Sequence, residues 1–505
     1  MLISFVALYL IISIGIGIYA ATKVHNAKDY VTAGRSLPMG VVIAMVFATW
    51  FGAETVLGVP GTFIESNLGG LISDPFGASF CLIFFGLIFA RPLYRKNLLT
   101  LGDFYRDRYS KPVEIAVSIA IALSYLGWVS AQITALGLTF NVLSGGDITM
   151  VQGILIGASV VLLYTLFGGM WSVALTTVVQ MTVIVVGLLW IAFLMSEQTQ
   201  GLMPVIQHAA DAGKFEFWPT LEWAAIITFV AGFLTLGFGS IPQQDVFQRV
   251  NSSNSERVAV WGTTLGGIAY FFFAAVPIYL AYSATMIDPQ LAAQVGAEDT
   301  QKVLPTFVLS HMPIYAQIIF FGALLSVIMS TASGTLLAPS VTLSENVIKE
   351  FLPNGKSMTD KQFLLLMRIV VVSFAGLVTI FAFYSLQYDS LSDYWRALLG
   401  EQVLASGNEE TSIHLMVLNA YKVTLVMALV PLFAGLFWKK ASNFGAASSI
   451  IAGLLVWLPL EFFGDAESSN SMMAFVVEQD IAHFVGFIAA SIAMVVASLI
   501  KPAGQ

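Results

Sequence analysis

Ala48-Thr49-Trp50-Phe51-Gly52-Ala53-Glu54-Thr55-Val56-Leu57-Gly58-Val59-Pro60-Gly61 lies inside an apolar segment long enough to cross a bilayer, yet it holds three glycines, a proline and a carboxylate. Glycine and proline are the residues a chain uses where a helix has to open and release backbone groups. A carboxylate at the bilayer centre costs about 2.5–3.5 kcal/mol on insertion scales unless it is hydrated or paired. An interrupted membrane helix with an acid beside the interruption predicts a binding site.

The surrounding chain fits a membrane setting. Of 505 residues, 57% are hydrophobic and 10% charged, against about 25% charged for a soluble domain. Long uncharged runs predict helical spans, since barrel strands would be short and alternating. The single cysteine, Cys81, lies in an apolar run and allows no internal disulfide. The net charge of −8 and the lack of a basic tract give no sign of nucleic-acid binding. Leu2–Ala21 reads as a retained first span, because it is too long for a signal-peptide core and has no clean cleavage pattern.

Windows of about 20 residues give an all-α membrane protein of about thirteen spans, near 2–22, 39–64, 70–94, 113–140, 150–167, 173–196, 222–242, 258–286, 314–347, 364–388, 418–438, 443–463 and 480–500. With the N-terminus outside, 18 of the 22 Lys and Arg fall on the inner side, and only Lys214, Lys302, Arg396 and Lys422 fall outside. The positive-inside rule therefore predicts an outer N-terminus and a cytoplasmic C-terminus in a cell membrane. Three longer outer loops, near 197–220, 287–313 and 389–417, are too small for separate domains, so 1–505 reads as one membrane domain.

A second interruption follows five spans after the first, in Ala231-Gly-Phe-Leu-Thr-Leu-Gly-Phe-Gly-Ser-Ile-Pro242. Two broken helices separated by an odd number of spans run in opposite directions. That is the pattern of an inverted five-plus-five repeat with its first helices broken, although glycines also serve close helix packing. The division that follows is 1–37 as an extra first helix and inner loop, 38–196 and 220–438 as repeats, and 439–505 as two peripheral helices.

Candidate chemistry gathers near the breaks. In the ninth span, Ser330 and Thr331 are adjacent and can flank one point of a helix. Their hydroxyls, with carbonyls freed by a break, suit a small hard cation; the alternative is bonding to the preceding turn or to neighbouring helices. Glu54 is expected to serve as counter-ion to a cationic solute or as part of a proton or sodium site, unless it only faces a watery vestibule. Trp50 and Trp128 could sandwich a ring or hold an ammonium by cation–π attraction, or simply pack. Gln132, a turn from Trp128, and Gln243 and Gln244 after the second break could orient a polar solute. Asp74 is expected near the outer interface.

No GxxxxGK[ST], HExxH or Gly-x-Ser-x-Gly is present, and the five histidines lack ligand spacing, so no enzymatic role is expected. The competing class is a non-transporting membrane sensor, for which an output domain would be expected. Channel function is disfavoured by the lack of a repeated pore loop or ring of like charge.

Asp29-Tyr-Val-Thr-Ala-Gly-Arg-Ser36, Leu101-Gly-Asp-Phe-Tyr-Arg-Asp-Arg-Tyr109, Gly168-Gly-Met-Trp-Ser-Val-Ala-Leu-Thr-Thr-Val-Val-Gln180 and Pro242-Gln-Gln-Asp-Val-Phe-Gln-Arg249 follow one another in the order of known motifs. In these the chain resembles the sodium/solute symporters, which include proline, sugar, pantothenate and choline carriers. The resemblance implies the inverted repeat with one helix before it and two after, and Na⁺-coupled import of a small organic solute by alternating access. It implies a sodium site of the Ala48, Phe51 and Val327 carbonyls with the Ser330 and Thr331 hydroxyls. A proton-coupled carrier using Glu54 is the nearest alternative. Where many relatives carry Thr-Asp, this chain has Thr176-Thr177, which removes a charge tied to ion coupling. Ala48-Thr-Trp-Phe-Gly and the stretch from Trp128 to Gly137 are most similar to the choline-carrier branch. Gln243 and Ala78 stand where that branch has cage aromatics, so the cage is incomplete, which argues against choline itself; Glu54 is expected instead to balance a cationic or amine-like organic solute or to coordinate a polar one.

Overall fold

In a computed structural model of the chain, residues 2–291, 297–353, 355–386, 412–463 and 471–502 are described. They form helices joined by short turns, with no strand among them. In chain order the principal helices are α1 (Leu2–Ala21), α2 (Met39–Trp50), α3 (Glu54–Glu65), α4 (Leu68–Lys96), α5 (Leu101–Arg108), α6 (Lys111–Leu143), α7 (Met150–Gln198), α8 (Trp223–Gly237), α9 (Gln244–Ser252), α10 (Glu256–Ile287), α11 (Ile314–Phe351), α12 (Asp360–Ser385), α13 (Ile413–Phe437), α14 (Asn443–Phe463) and α15 (Ala482–Ile500).

Ten of the described helices are long and apolar enough to span a bilayer, and the bent pair α2–α3 makes an eleventh. The expectation of thirteen differs by two, and both differences have a physical origin. The first is one of continuity: the expected segments 150–167 and 173–196 are two helices that run into one another as the 49-residue stretch α7, whose summed rise of about 74 Å at about 1.5 Å per residue is enough for two crossings of ~30 Å of hydrocarbon. It breaks at Gly169, where φ is +50° and ψ −135°, a conformation that L side chains avoid. A Cβ there would stand 2.4 Å from the Tyr30 carbonyl oxygen. The second difference is α8, 15 residues long and too short to cross alone. The expected outer loop at 389–417 falls largely outside the described residues.

Burial separates core from rim. In α6, α11 and α13, 67% of the apolar window is buried, whereas α1, α14 and α15 bury only 22–33%. These last three, with α7 at 33%, are the least buried of the spans. Small residues let them dock closely: a Cβ on Gly17 of α1 would meet Tyr164 Cβ of α7 at 2.7 Å, and one on Gly486 of α15 would meet Trp457 Cβ of α14 at 2.7 Å.

Both predicted interruptions are present. Helices α2 and α3 meet at 59° across Phe51-Gly52-Ala53, and α8 is separated from α9 by the non-helical turn Phe238–Gln243. The two breaks lie against α6 and α11, the most buried helices.

Candidate functional site

Regular helix ends at Trp50, and Phe51 adopts φ −84°, ψ 74°. The Ala48 carbonyl accepts from two hydroxyls of α11, Ser330 Oγ at 2.7 Å and Thr331 Oγ1 at 3.3 Å. Ser330 Oγ also lies 2.8 Å from the Val327 carbonyl. Four of the five expected oxygen donors therefore converge, and Phe51 stands at the break beside them. One Ser330 proton cannot serve two carbonyls at once, whereas a cation satisfies every oxygen together.

Just past the break, the Glu54 carboxylate folds back over Gly52, where a Cβ would lie 2.3 Å from Glu54 Oε2. Glu54 is 3% exposed. Its oxygens accept from Trp128 Nε1 at 3.0 Å and Gln132 Nε2 at 2.7 Å. Gln132 Oε1 in turn accepts from the Ala53 backbone N–H at 3.0 Å. That backbone donor requires the oxygen end of the amide, so the NH₂ end must face Glu54.

Trp50, Trp128, Tyr125 and Tyr421 form a buried aromatic cluster. Trp50 and Trp128 meet edge-to-face at 5.7 Å, Trp50 stacks on Tyr421 at 6.2 Å, Trp128 lies 5.5 Å from Tyr421, and Tyr125 stacks on Trp128 at 5.9 Å. Both indole N–H groups donate to carboxylates: Trp128 to Glu54, and Trp50 to Asp245 Oδ2 at 3.0 Å. Tyr125 Oη donates to Asp245 Oδ1 at 2.5 Å and accepts from the Asp245 backbone N–H at 2.9 Å.

Gln243 joins the edge of this cluster, donating from Nε2 to Ser124 Oγ at 2.9 Å and Thr424 Oγ1 at 3.3 Å. Gln244 turns elsewhere, its Oε1 accepting from the Leu101 backbone N–H at 2.8 Å, which ties the second break to α5.

Asp74 is the clearest correction. The sequence suggested an interfacial acid, but it is 2% exposed and accepts from Tyr270 Oη. Tyr270 Oη lies 2.9 Å from Thr55 Oγ1, next in sequence to Glu54. The start of α4 is an irregular turn, Leu68–Gly77, rather than a straight helix; a regular 20-residue window could not show that it folds inward.

Sequence reasoning also missed Tyr125, Asp245, Tyr270 and Tyr421. Tyr125 stands three residues before Trp128 and hence on its helix face, and Asp245 directly follows the second break, so both had a readable signal. Tyr270 and Tyr421 lie on other spans with nothing local to mark them.

The charges of the site do not balance. Glu54, Asp74 and Asp245 are buried, and Arg249 is the buried cation among them. Its guanidinium donates to Thr49 Oγ1 at 2.6 and 3.2 Å and to the Asp245 carbonyl at 2.7 Å. If all are ionised, the site carries two excess negative charges, an arrangement that favours a cation. Among the described residues, Thr177 Oγ1 and both polar atoms of Gln180 are buried without a hydrogen-bond partner.

Known proteins were compared with this chain. A human high affinity choline transporter is 27% identical over 474 residues, covering 90% of this chain and 76% of its own length. An osmoregulated proline transporter of Bacillus subtilis is 23% identical over 476 residues, covering 89% and 87%. Among solved structures, a Na⁺-coupled sialic acid symporter in a substrate-bound outward-open state superposes with a TM-score of 0.78 at 19% identity, covering 100% of this chain and 98% of that one. A nucleobase-cation-symport-1 family transporter, closed with bromovinylhydantoin bound, gives 0.52 at 14% identity, with 93% and 94% covered. These two likenesses show a shared fold. The model of the sodium:solute symporter family matches residues 30–406. The protein is therefore a multi-pass membrane protein and belongs to the sodium:solute symporter family.

Proposed function

We propose that this chain imports a small cationic organic solute together with Na⁺ by alternating access, and that it is a carrier rather than an enzyme. The observation that carries the reading is the convergence of Ala48 O, Val327 O, Ser330 Oγ and Thr331 Oγ1 at the first break, one turn from an acid-lined aromatic cluster. In this reading Na⁺ is a co-transported ion held by those four oxygens and the Phe51 carbonyl. The solute's positive group lies against the faces of Trp50, Trp128 and Tyr421, with Glu54 as counter-ion and Gln132 and Gln243 at its polar end. Gln244, engaged by Leu101, holds the second break in place.

Na⁺ binding ties α2 to α11 across the break. The same contact fixes the backbone that carries Trp50 and Glu54, so ion binding favours the solute-binding state. One Na⁺ crossing about 100 mV supplies about 2.3 kcal/mol, roughly a 50-fold accumulation. The choline transporters among the relatives and the excess of buried carboxylates both support a cationic solute.

The proposed orientation has the N-terminus outside. It rests on the distribution of Lys and Arg, 18 on the inner side against 4 outside. The repeats are proposed as 38–196 and 220–438, flanked by 1–37 and 439–505.

The test is uptake into proteoliposomes under an inward Na⁺ gradient, using labelled choline with proline and a small monocarboxylate as comparators. Na⁺-driven choline uptake above both comparators is expected. Uptake of proline or the monocarboxylate in preference to choline would overturn the cationic assignment.

A further inference from the structure

Asp74 and Tyr270 have no part in holding the ion or the solute as described above, yet each is fully buried and they are bonded to one another. Among the described residues, neither Asp74 nor Glu54 makes an ion pair. Hydrogen bonds lead from Asp74 through Tyr270 to Thr55, the residue after Glu54, and two neighbouring carboxylates without a cation do not both ionise readily in a low-dielectric interior; one keeps a proton.

The hydrogen-bond partners decide which. Glu54 faces the indole N–H of Trp128 and the NH₂ end of Gln132, the latter fixed by Ala53 N. Both partners only donate, so each Glu54 oxygen has to accept, which suits the charged form. Asp74 faces a hydroxyl, and that hydroxyl faces the hydroxyl of Thr55. With Asp74 ionised, Tyr270 donates to it. With Asp74 protonated, Asp74 donates to Tyr270, Tyr270 donates to Thr55, and Thr55 turns to the Trp50 carbonyl 3.4 Å away. The same atoms satisfy both states, as a proton site requires.

The other ionisable groups on the packed elements leave this balance in place. On α10, Tyr270 itself faces Asp74, while Tyr279 and Tyr282 lie further along towards α3. On α13, His414 packs against Gly58 and Tyr421 against the two indoles. Cys81 follows on α4, and Lys302 closes the turn Ala297–Lys302 that packs on α3. Arg249 is engaged by Thr49 and the Asp245 carbonyl.

We propose that Asp74 is a proton-binding residue coupled to Glu54, protonated while Glu54 is an unmatched anion and releasing its proton to water when a cation neutralises Glu54. Import of the cationic solute is then accompanied by loss of a proton. The inference rests on the reading of Glu54 as counter-ion, and two measurements keep the failures apart.

The first needs no solute. Infrared difference spectra of the purified full-length carrier, stepped from weakly acid to alkaline buffer, are expected to show a carboxylic-acid C=O band that persists at neutral pH and is missing in Asp74→Asn. In Tyr270→Phe, which removes the donor to the charged form, the band is expected to persist to higher pH. No band in the parent protein at neutral pH, or an undiminished band in Asp74→Asn, overturns the proposal. A Na⁺-dependent thermal shift in each variant verifies its fold.

The second adds choline to Na⁺-saturated carrier in weak buffer with a pH-indicating dye. Release of about one proton per carrier is expected, with none in Asp74→Asn or Glu54→Gln. Choline binding without release, or equal release in Asp74→Asn, overturns the coupling. No choline binding at all refutes the solute reading above, while the infrared result still decides the proton site.

Discussion

Ser330 has one proton and two carbonyls within 2.8 Å, Ala48 O and Val327 O, and the first of these lies across the break on another helix. Replacing Ser330 removes a neutral oxygen from a site that has no carboxylate of its own. Ser330→Ala is expected to weaken Na⁺ at least tenfold, about 1.4 kcal/mol, and Ser330→Ala with Thr331→Ala to abolish Na⁺ stimulation of uptake; titrating uptake against Na⁺ checks both. Glu54→Gln is expected to weaken a cationic solute at least tenfold, because the charge is lost and an amide NH₂ is turned towards one of the two donors, Trp128 Nε1 or Gln132 Nε2. Solute titrations followed by thermal shift read that change, and an unaltered affinity would make Glu54 structural. Ser330 and Thr331 were legible in sequence because small hydroxylated residues near a glycine break are local signals, while the Ala48 and Val327 carbonyls that they meet came only from the family resemblance. The environment of Glu54 was not. That Trp128 and Gln132, read as solute contacts, both bond this acid depends on how α6 crosses α3, and no spacing within either segment encodes it. Asp74 failed for a related reason, since its depth follows from the irregular start of α4.

At the scale of elements, glycines mark the positions where the chain does what a regular helix cannot. Gly52 admits the carboxylate of Glu54, and Gly169 turns α7 against Tyr30. Gly169→Ala combines a positive φ with a Cβ 2.4 Å from a carbonyl oxygen, and we expect it to lower Tm and yield sharply. Helix α5 is held by a different device. Thr100 and Asp103 form a capping box, and Asn346 of α11 donates to Asp103 at 3.0 Å and to the buried Glu114 at 2.8 Å while accepting from Thr100 at 2.7 Å. Asn346→Leu leaves two acids short of a donor and is expected to destabilise by about 1–3 kcal/mol, read as a lower Tm at constant Na⁺. Span positions were legible almost throughout, because lipid imposes length and apolarity on each. That the expected segments 150–167 and 173–196 join through the one residue Gly169 was not, since a window of apolar residues cannot distinguish a loop from a single residue of positive φ.

Across the whole molecule, the two interruptions recognised from Gly and Pro spacing set the architecture. Their neighbours α6, α11 and α13 are the most buried helices, and α1, α14 and α15 form the rim. In the proposed reading, Na⁺ at the first break is a structural tie between α2 and α11 as well as a driving force. Saturation at about 100 times Kd is expected to stabilise the carrier by about 2.7 kcal/mol, seen as a rise in Tm with NaCl that KCl does not reproduce and that Ser330→Ala with Thr331→Ala removes. The excess of buried carboxylates, by contrast, was invisible until Asp74 and Asp245 were seen to gather with Glu54 from three separate spans. The central claim is that the oxygens at the first break bind the Na⁺ that drives solute entry. Its most direct measurement is solute uptake in proteoliposomes, with and without an inward Na⁺ gradient, for the parent carrier and for Ser330→Ala with Thr331→Ala. Uptake that follows Na⁺ in the parent and is indifferent to it in the double variant is expected; equal Na⁺ dependence in both would contradict the account.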